Sequence, residues 1–334
     1  MLCLSHFKLL LGCNNPLVHD APAMESTCTT PDPRALHGRP DFGSLIEFLS
    51  SLVGRDVHYH PNPGNAGDKT IDIGFFLLAK RAGLNYTRSN DMVVPASTDV
   101  ILSGGGGSLV SYWRDARDFI DANLHRCKLL VILPHTVNDH EDLLRSLPKH
   151  AVIWAREMFS YRYLKATVPH PENIFLSHDM AFALEDLHFE GSMPSRAPQV
   201  VQYAFREDFE QHPHRGALPR CNDDLSLTCD GTRGESVEIV QVVTRLIKSV
   251  NLSDIIHTDR LHVGIVASIL RKEVHLYPGS YYKMRAVYEH SMAHSYERTQ
   301  LHHGFSNIEA LTCEAVTVGE PCQQLHDEEE TKRG

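Results

Sequence analysis

An α/β fold built on parallel sheets, in two successive halves, is what the sequence predicts, and three observations lead there. Short apolar runs alternate with helix-periodic segments over most of the chain, several of those runs are followed directly by glycine or by a charged residue, and a break in the patterning divides the alternation in two. With 334 residues, 42% of them hydrophobic and 22% charged, the chain has room for two cores of roughly 150 residues each. Two domains are therefore expected.

Taken in order, residues 1–40 read as a disordered leader. Their only apolar patch is Leu9-Leu10-Leu11, far short of a signal-peptide core or a membrane span, and residues 14–40 are rich in Pro, Thr, Ser and Asp without periodicity. A soluble, cytoplasmic protein is expected, with peripheral association where a membrane-bound acceptor is made. The first domain is expected over 41–186. It opens with a helix over 44–52, a strand over 56–60, a glycine-containing loop over 61–68 and a helix over 69–82 that puts Ile71, Phe75, Leu78 and Ala82 on one face. Strands follow over 99–102, 128–133, 151–154 and 173–176, with helices over 115–124 and 158–166. Strands and helices alternating in this way predict a parallel sheet covered on both faces, with the chemistry at the carboxyl ends of its strands. Residues 187–198 are polar and contain prolines, as a linker does. The second domain is expected over 199–298: strands at 199–203, 255–256 and 273–277, helices at 236–250, 260–270 and 282–292. From 299 the pattern fades into a tail with the acidic run 327–330.

The net charge of −10 excludes broad attraction to nucleic acid or an anionic membrane, so an anionic ligand must be caught by a local pocket. Eight cysteines without a C-x-x-C predict reduced thiols rather than a zinc ribbon or disulfide scaffold. His-Glu-x-x-His, Asp-x-Asp and Gly-x-Ser-x-Gly are all missing. No metal or cofactor is expected, and serine-hydrolase chemistry has no support.

The stretch Ile255-Ile256-His257-Thr258-Asp259-Arg260-Leu261-His262 draws the most attention. It reads as a strand end, two residues able to cap a helix, then a helix whose first turn holds a guanidinium and an imidazole. Outward-pointing backbone N–H groups add to this place, which suits a phosphate or carboxylate. Arg156-Glu157 stands at a comparable strand end, so two arginines from two halves could clamp one anion. The plain alternative for Arg156 is a surface ion pair. Gly64-Asn65-Ala66-Gly67-Asp68 is not a Walker A loop, because Asp68 stands where that motif has the glycine before lysine. It is either a substrate-contacting loop or a tight turn with Asp68 capping the helix. Gly104 to Gly107 lack the Gly-x-Gly-x-x-Gly pattern but follow a buried strand, which favours backbone amides facing a ligand. His135 and His178 also end strands and could transfer protons, although a histidine is more often structural or exposed.

Together these segments resemble the polysaccharide pyruvyl transferase family. The matching pieces are Gly64 to Asp68, Gly104 to Ser108, Leu133-Pro134-His135, Arg156-Glu157 with Ser160-Tyr161, Thr258 to His262, and Gly279-Ser280-Tyr281, spanning about residues 45–292. The resemblance implies a GT-B-like build, two Rossmann-like domains with a cleft between them. It implies transfer of a pyruvyl group from phosphoenolpyruvate to a glycan or lipid-linked sugar as a ketal. By it, His262 and Arg260 would be catalytic, and Arg156 would help Arg260 hold the donor. Asn65, Gly67, Asp68, Gly105, Gly106, His135, Ser280 and Tyr281 would contact substrate. The chain departs from the pattern at Lys69-Thr70, where more apolar residues are expected, and in a short second half. Two other readings stay open: a nucleotide-sugar glycosyltransferase of the same build, in which Arg260 would bind a diphosphate, and a non-catalytic sugar- or anion-binding relative.

Overall fold

Two parallel sheets organise the chain. The computed structural model describes residues 40–187, 189, 199–230 and 239–305. The expected leader up to residue 39, most of the linker and the tail beyond 305 lie outside the described residues. The first sheet contains β1 (Val57–His60), β2 (Thr87–Arg88), β3 (Val100–Ser103), β4 (Gly106–Leu109), β5 (Leu129–Val137), β6 (Ala151–Ala155) and β7 (Ile174–Leu176), in the order β2-β1-β3-β5-β6-β7 with β4 also paired to β5. The second contains β8 (Val201–Tyr203), β9 (Ile255–Thr258), β10 (Glu273–Leu276) and β11 (Thr299–Leu301), in sequence order. Every pairing is parallel.

The second half of the glycine run, Gly106 and Gly107, is β-structure. β3 pairs with the first half of β5, and Gly106 and Leu109 then pair with His135 and Val137 in its second half. β5 therefore continues past Pro134, where the sequence suggested an end. Its register against β6 shifts between Ile132 and His135, so the residue without an N–H sits at an irregularity. Also unforeseen are β2, a short helix Glu141–Ser146, a 3-10 segment Met180–Leu187, and β11, which begins where the tail was expected.

After β1 comes α1 (Ala66–Ala82), which is buried around most of its circumference. Asn65 caps it: its side chain accepts from the Gly67 N–H at 2.9 Å, and its own N–H donates to Asp68 Oδ2 at 3.1 Å. Asn65, not Asp68, is thus the N-cap, with Asp68 the third residue of a capping box. Gly83 ends the helix at φ 67°, the left-handed conformation glycine adopts without strain.

The largest apolar cluster does not divide between the sheets. It joins Tyr59, Leu102 and Phe75 of the first half to Val243, Val263 and Leu276 of the second. α1 packs against the 3-10 segment Met180–Leu187 and against α2 (Ile239–Asn251) and α3 (Leu261–Ile269). A second cluster, with Ile101, Phe119 and Ile153, covers the other face of the first sheet. The strands β1 and β3 are accordingly buried on both faces. The second sheet departs from the expectation of two covered faces. In β9 and β10 buried residues alternate with half-buried His257, Glu273 and His275, and only a small cluster around Tyr203, Phe205 and Tyr277 lies apart from the main core. Polar residues at every second position mark a half-solvated face.

Cys221 and Cys229 each take part in a disulfide, so the expectation of reduced thiols fails for these two. Cys127 is a free thiol. Among the described residues no helix is long and apolar enough to cross a membrane.

Candidate active site

Residues that follow β1, β6, β8 and β9 meet around a cavity of about 290 Å3. Parallel strands put all their carboxyl ends on one edge, so side chains distant in sequence converge there. Arg156, immediately after β6, is fully buried. Its Nε donates to Thr136 Oγ1 at 2.8 Å and its Nη1 to Asp179 Oδ2 at 2.7 Å. Its Nη2 has no partner. A Cβ on Gly107 would stand 3.1 Å from that nitrogen, so the bare glycine leaves it room at the cavity wall. Burial works against the charge of Asp179, but the Arg156 guanidinium, His262 and the Ala181 N–H overcome it and hold this carboxyl well below the usual range.

Arg260 is the N-cap of α3, where its N–H is bonded by Thr258 Oγ1 at 2.9 Å. Its guanidinium is covered. Nε donates to Asp224 Oδ1 at 2.8 Å, Nη2 donates to Asp224 Oδ2, and Nη1 lies 2.8 Å from Asp208 Oδ2. Asp259 does not cap the helix. It accepts from the Arg206 N–H at 2.7 Å and from Arg215 Nη1 at 3.2 Å, and so braces the segment after β8.

His262 lines the cavity and bridges the halves. A Cβ on Gly67 would stand 2.4 Å from its Nδ1, so only glycine lets the imidazole lie against the start of α1. Its Nε2 is 3.5 Å from Asp179 Oδ2, too long for a hydrogen bond of normal geometry, and has no other partner. Asp68 lines the cavity as well. Burial raises its pKa, opposed by His262, Lys69 and Lys283.

Sequence reasoning missed five charged residues here: Asp115, Arg206, Asp208, Glu210 and Lys283. Arg206 bonds Asp208 through Nε at 2.9 Å and Glu210 through Nη2. Lys283 Nζ donates to Glu210 Oε1 at 2.5 Å and stands 5.0 Å from the centre of the Tyr281 ring. Burial pushes the Lys283 pKa down to about 8 against the attraction of Glu210. Arg206 follows β8 as Arg156 follows β6, so the strand-end argument applied to 199–203 would have found it.

The remaining expected site residues separate. Asn65 and Asp68 line the cavity, while Gly67 acts by seating His262. Gly105 and Gly106 are not at the wall: a Cβ on Gly105 would stand 2.7 Å from the Pro134 carbonyl, and Gly106 is in the β4–β5 ladder. Gly107 and Ser108 take the place expected of them. His135 is fully buried, and its pKa falls to about 3 through burial and the nearby Arg156. The ring is neutral, with Nδ1 3.1 Å from the Leu133 carbonyl and Nε2 3.2 Å from Asn62 Nδ2, which orders the glycine run from beneath. His178 is stacked on His290, and burial lowers its pKa to about 4, away from the cavity. Ser280 Oγ is buried without a partner. The Tyr281 hydroxyl would stand 3.6 Å from a Gly107 Cβ and makes no hydrogen bond of normal geometry, although burial and the proximity of Glu210 raise its pKa strongly.

Three buried polar groups at the cavity wall or next to Gly107, Arg156 Nη2, His262 Nε2 and Tyr281 OH, thus make no hydrogen bond of normal geometry, and each can donate one. An acceptor-rich anion would satisfy them.

Among known families, the sequence model described as polysaccharide pyruvyl transferase matches residues 44–280. Among solved structures, that of a functionally uncharacterized protein from Klebsiella pneumoniae subsp. pneumoniae superposes with a TM-score of 0.66 at 29% identity, covering 78% of this chain and 98% of that one. No curated protein matches.

Proposed function

The chain belongs to the polysaccharide pyruvyl transferase family, and from that premise we propose that it transfers the pyruvyl group of phosphoenolpyruvate to two hydroxyls of a glycan or lipid-linked sugar, forming a cyclic ketal. The two sheets would be the halves of a GT-B-like arrangement with the donor held between them. One observation carries this reading: the donor groups left without partners around the cavity, above all Arg156 Nη2. Phosphoenolpyruvate bears a phosphate and a carboxylate on one carbon and supplies several acceptor oxygens within a few ångströms.

In the reaction, the methylene carbon of the donor takes a proton and the adjacent carbon becomes electrophilic. One sugar hydroxyl adds there, phosphate leaves, and the second hydroxyl closes the ring. Of the two hydroxyl protons, one balances the new methyl group and the other leaves with phosphate. His262 is aimed into the cavity by Gly67 and the first turn of α3, in position to give and take these protons, a role contributing roughly 10²–10⁴-fold. Arg156 contacts the donor directly. Arg260, oriented by Asp224, adds its field at the wall.

The test is incubation with phosphoenolpyruvate and a panel of glycans, measuring phosphate release and a glycan mass gain equal to pyruvate less one water. His262→Ala should abolish transfer while the circular dichroism spectrum and phosphoenolpyruvate-induced thermal stabilisation persist. Stabilisation by UDP or GDP but not by phosphoenolpyruvate would overturn the reading.

A further inference from the structure

Four mutually tilted aromatic rings drawn from both halves cluster beside the cavity, with Trp113 in its wall. Trp113, in the loop after β4, lines the cavity and lies 5.0 Å from Phe209, in the segment after β8. Tyr112 is 6.3 Å from Phe209 and 5.8 Å from Tyr281. Phe209 is 62% exposed and Tyr112 43%. Large apolar side chains are commonly exposed singly, whereas contiguous ones beside a pocket mark a binding surface. The rings follow on from the cavity whose inner wall holds Arg156, Arg206 and Arg260, so an anionic donor occupies the inner end and leaves the aromatic end for a second reactant. A pyranose ring has the chemistry such a place would take. Its flat C–H face packs on an aromatic face, and its hydroxyl edge meets the oxygens of Ser108 and Asp115, which also line the cavity.

We propose that Tyr112, Trp113 and Phe209 form the acceptor subsite, stacking a pyranose ring so that its hydroxyls reach the donor. This inference rests on the pyruvyl transferase reading.

The chain has two tryptophans, and Trp154 is 2% exposed, so a fluorescence response to an added sugar reports Trp113. The full chain is titrated with the methyl glycosides of glucose, galactose and mannose, from micromolar to tens of millimolar, and separately with uridine. The expected result is a saturable response to at least one glycoside, with half-saturation weakened roughly tenfold in Phe209→Ser and in Tyr112→Ser. Both side chains are exposed, so these variants should fold, and thermal stabilisation by phosphoenolpyruvate should match that of the unaltered chain. Silence with all three glycosides, equal half-saturation in both variants, or a response to uridine alone overturns the inference. If phosphoenolpyruvate stabilises the chain while Trp113 stays silent, only the acceptor subsite falls. A glycoside response without such stabilisation keeps the subsite and removes the donor reading instead.

Discussion

Arg156 and Arg260 occupy equivalent stations in the two halves, each just past a strand and at the start of a helix, yet their surroundings differ. Arg260 meets carboxylates with all three guanidinium nitrogens, whereas Arg156 meets one carboxylate and one hydroxyl and keeps Nη2 free at the wall. The difference teaches that a strand-end position brings a cation to the cavity, while the acids around it decide whether it binds ligand or holds the wall together. Arg206 resembles Arg260 in this respect, its side chain spent on Asp208 and Glu210.

The sharpest break in this contrast is at the acid behind Arg260. Asp224→Asn leaves a buried guanidinium short of its bidentate partner, and breaking such a pair costs roughly 3–5 kcal/mol, to be read from the denaturant midpoint at unchanged slope. A loss within error of zero would mean that Arg260 does not depend on that pairing.

Next come the lysine substitutions. Arg156→Lys keeps a cation near Asp179 but removes the free Nη2, and should weaken phosphoenolpyruvate affinity by roughly 10²-fold. Arg260→Lys should lower the melting temperature more than Arg156→Lys and change donor affinity only a few-fold. Calorimetric titration alongside thermal melts separates the two, and the reverse ordering would assign the donor to Arg260.

The smallest effect is in pH. Lys283 is protonated below its pKa of about 8 and loses its charge above it, so attraction for the anionic donor falls as pH rises through that value. Roughly a tenfold change in affinity is expected between pH 7 and pH 9. Lys283→Arg should remove it, since arginine does not deprotonate there. A pH response unaltered by that substitution would locate the titrating group elsewhere.

Much of the fold was legible because buried strands are written as short β-branched runs and helices as a 3.6-residue period. β1, β3, β6 and β9 fall within a residue or two of the sequence reading. What escaped has physical causes. β4 consists of glycines and Ser108-Leu109, which carry no strand signal, and forms because β5 offers an unpaired second half. β2 and β11 are short edge strands whose pairing is supplied by neighbours. At the site, residue type and strand-end position brought Arg156, Arg260 and His262 to one cavity. The ion-pair web of Asp179, Asp208, Glu210 and Asp224 was not visible, because those acids are brought in by long-range contacts that sequence spacing does not encode.

The helix that follows β1 bears on how substrates enter. α1 is wedged between the first sheet and the two helices of the second, so the largest apolar interior belongs to both halves at once. Rocking one half against the other about a hinge would tear that shared packing apart. Traffic through the cavity must then be governed by local shifts at its rim, and the described chain should melt as a single cooperative unit.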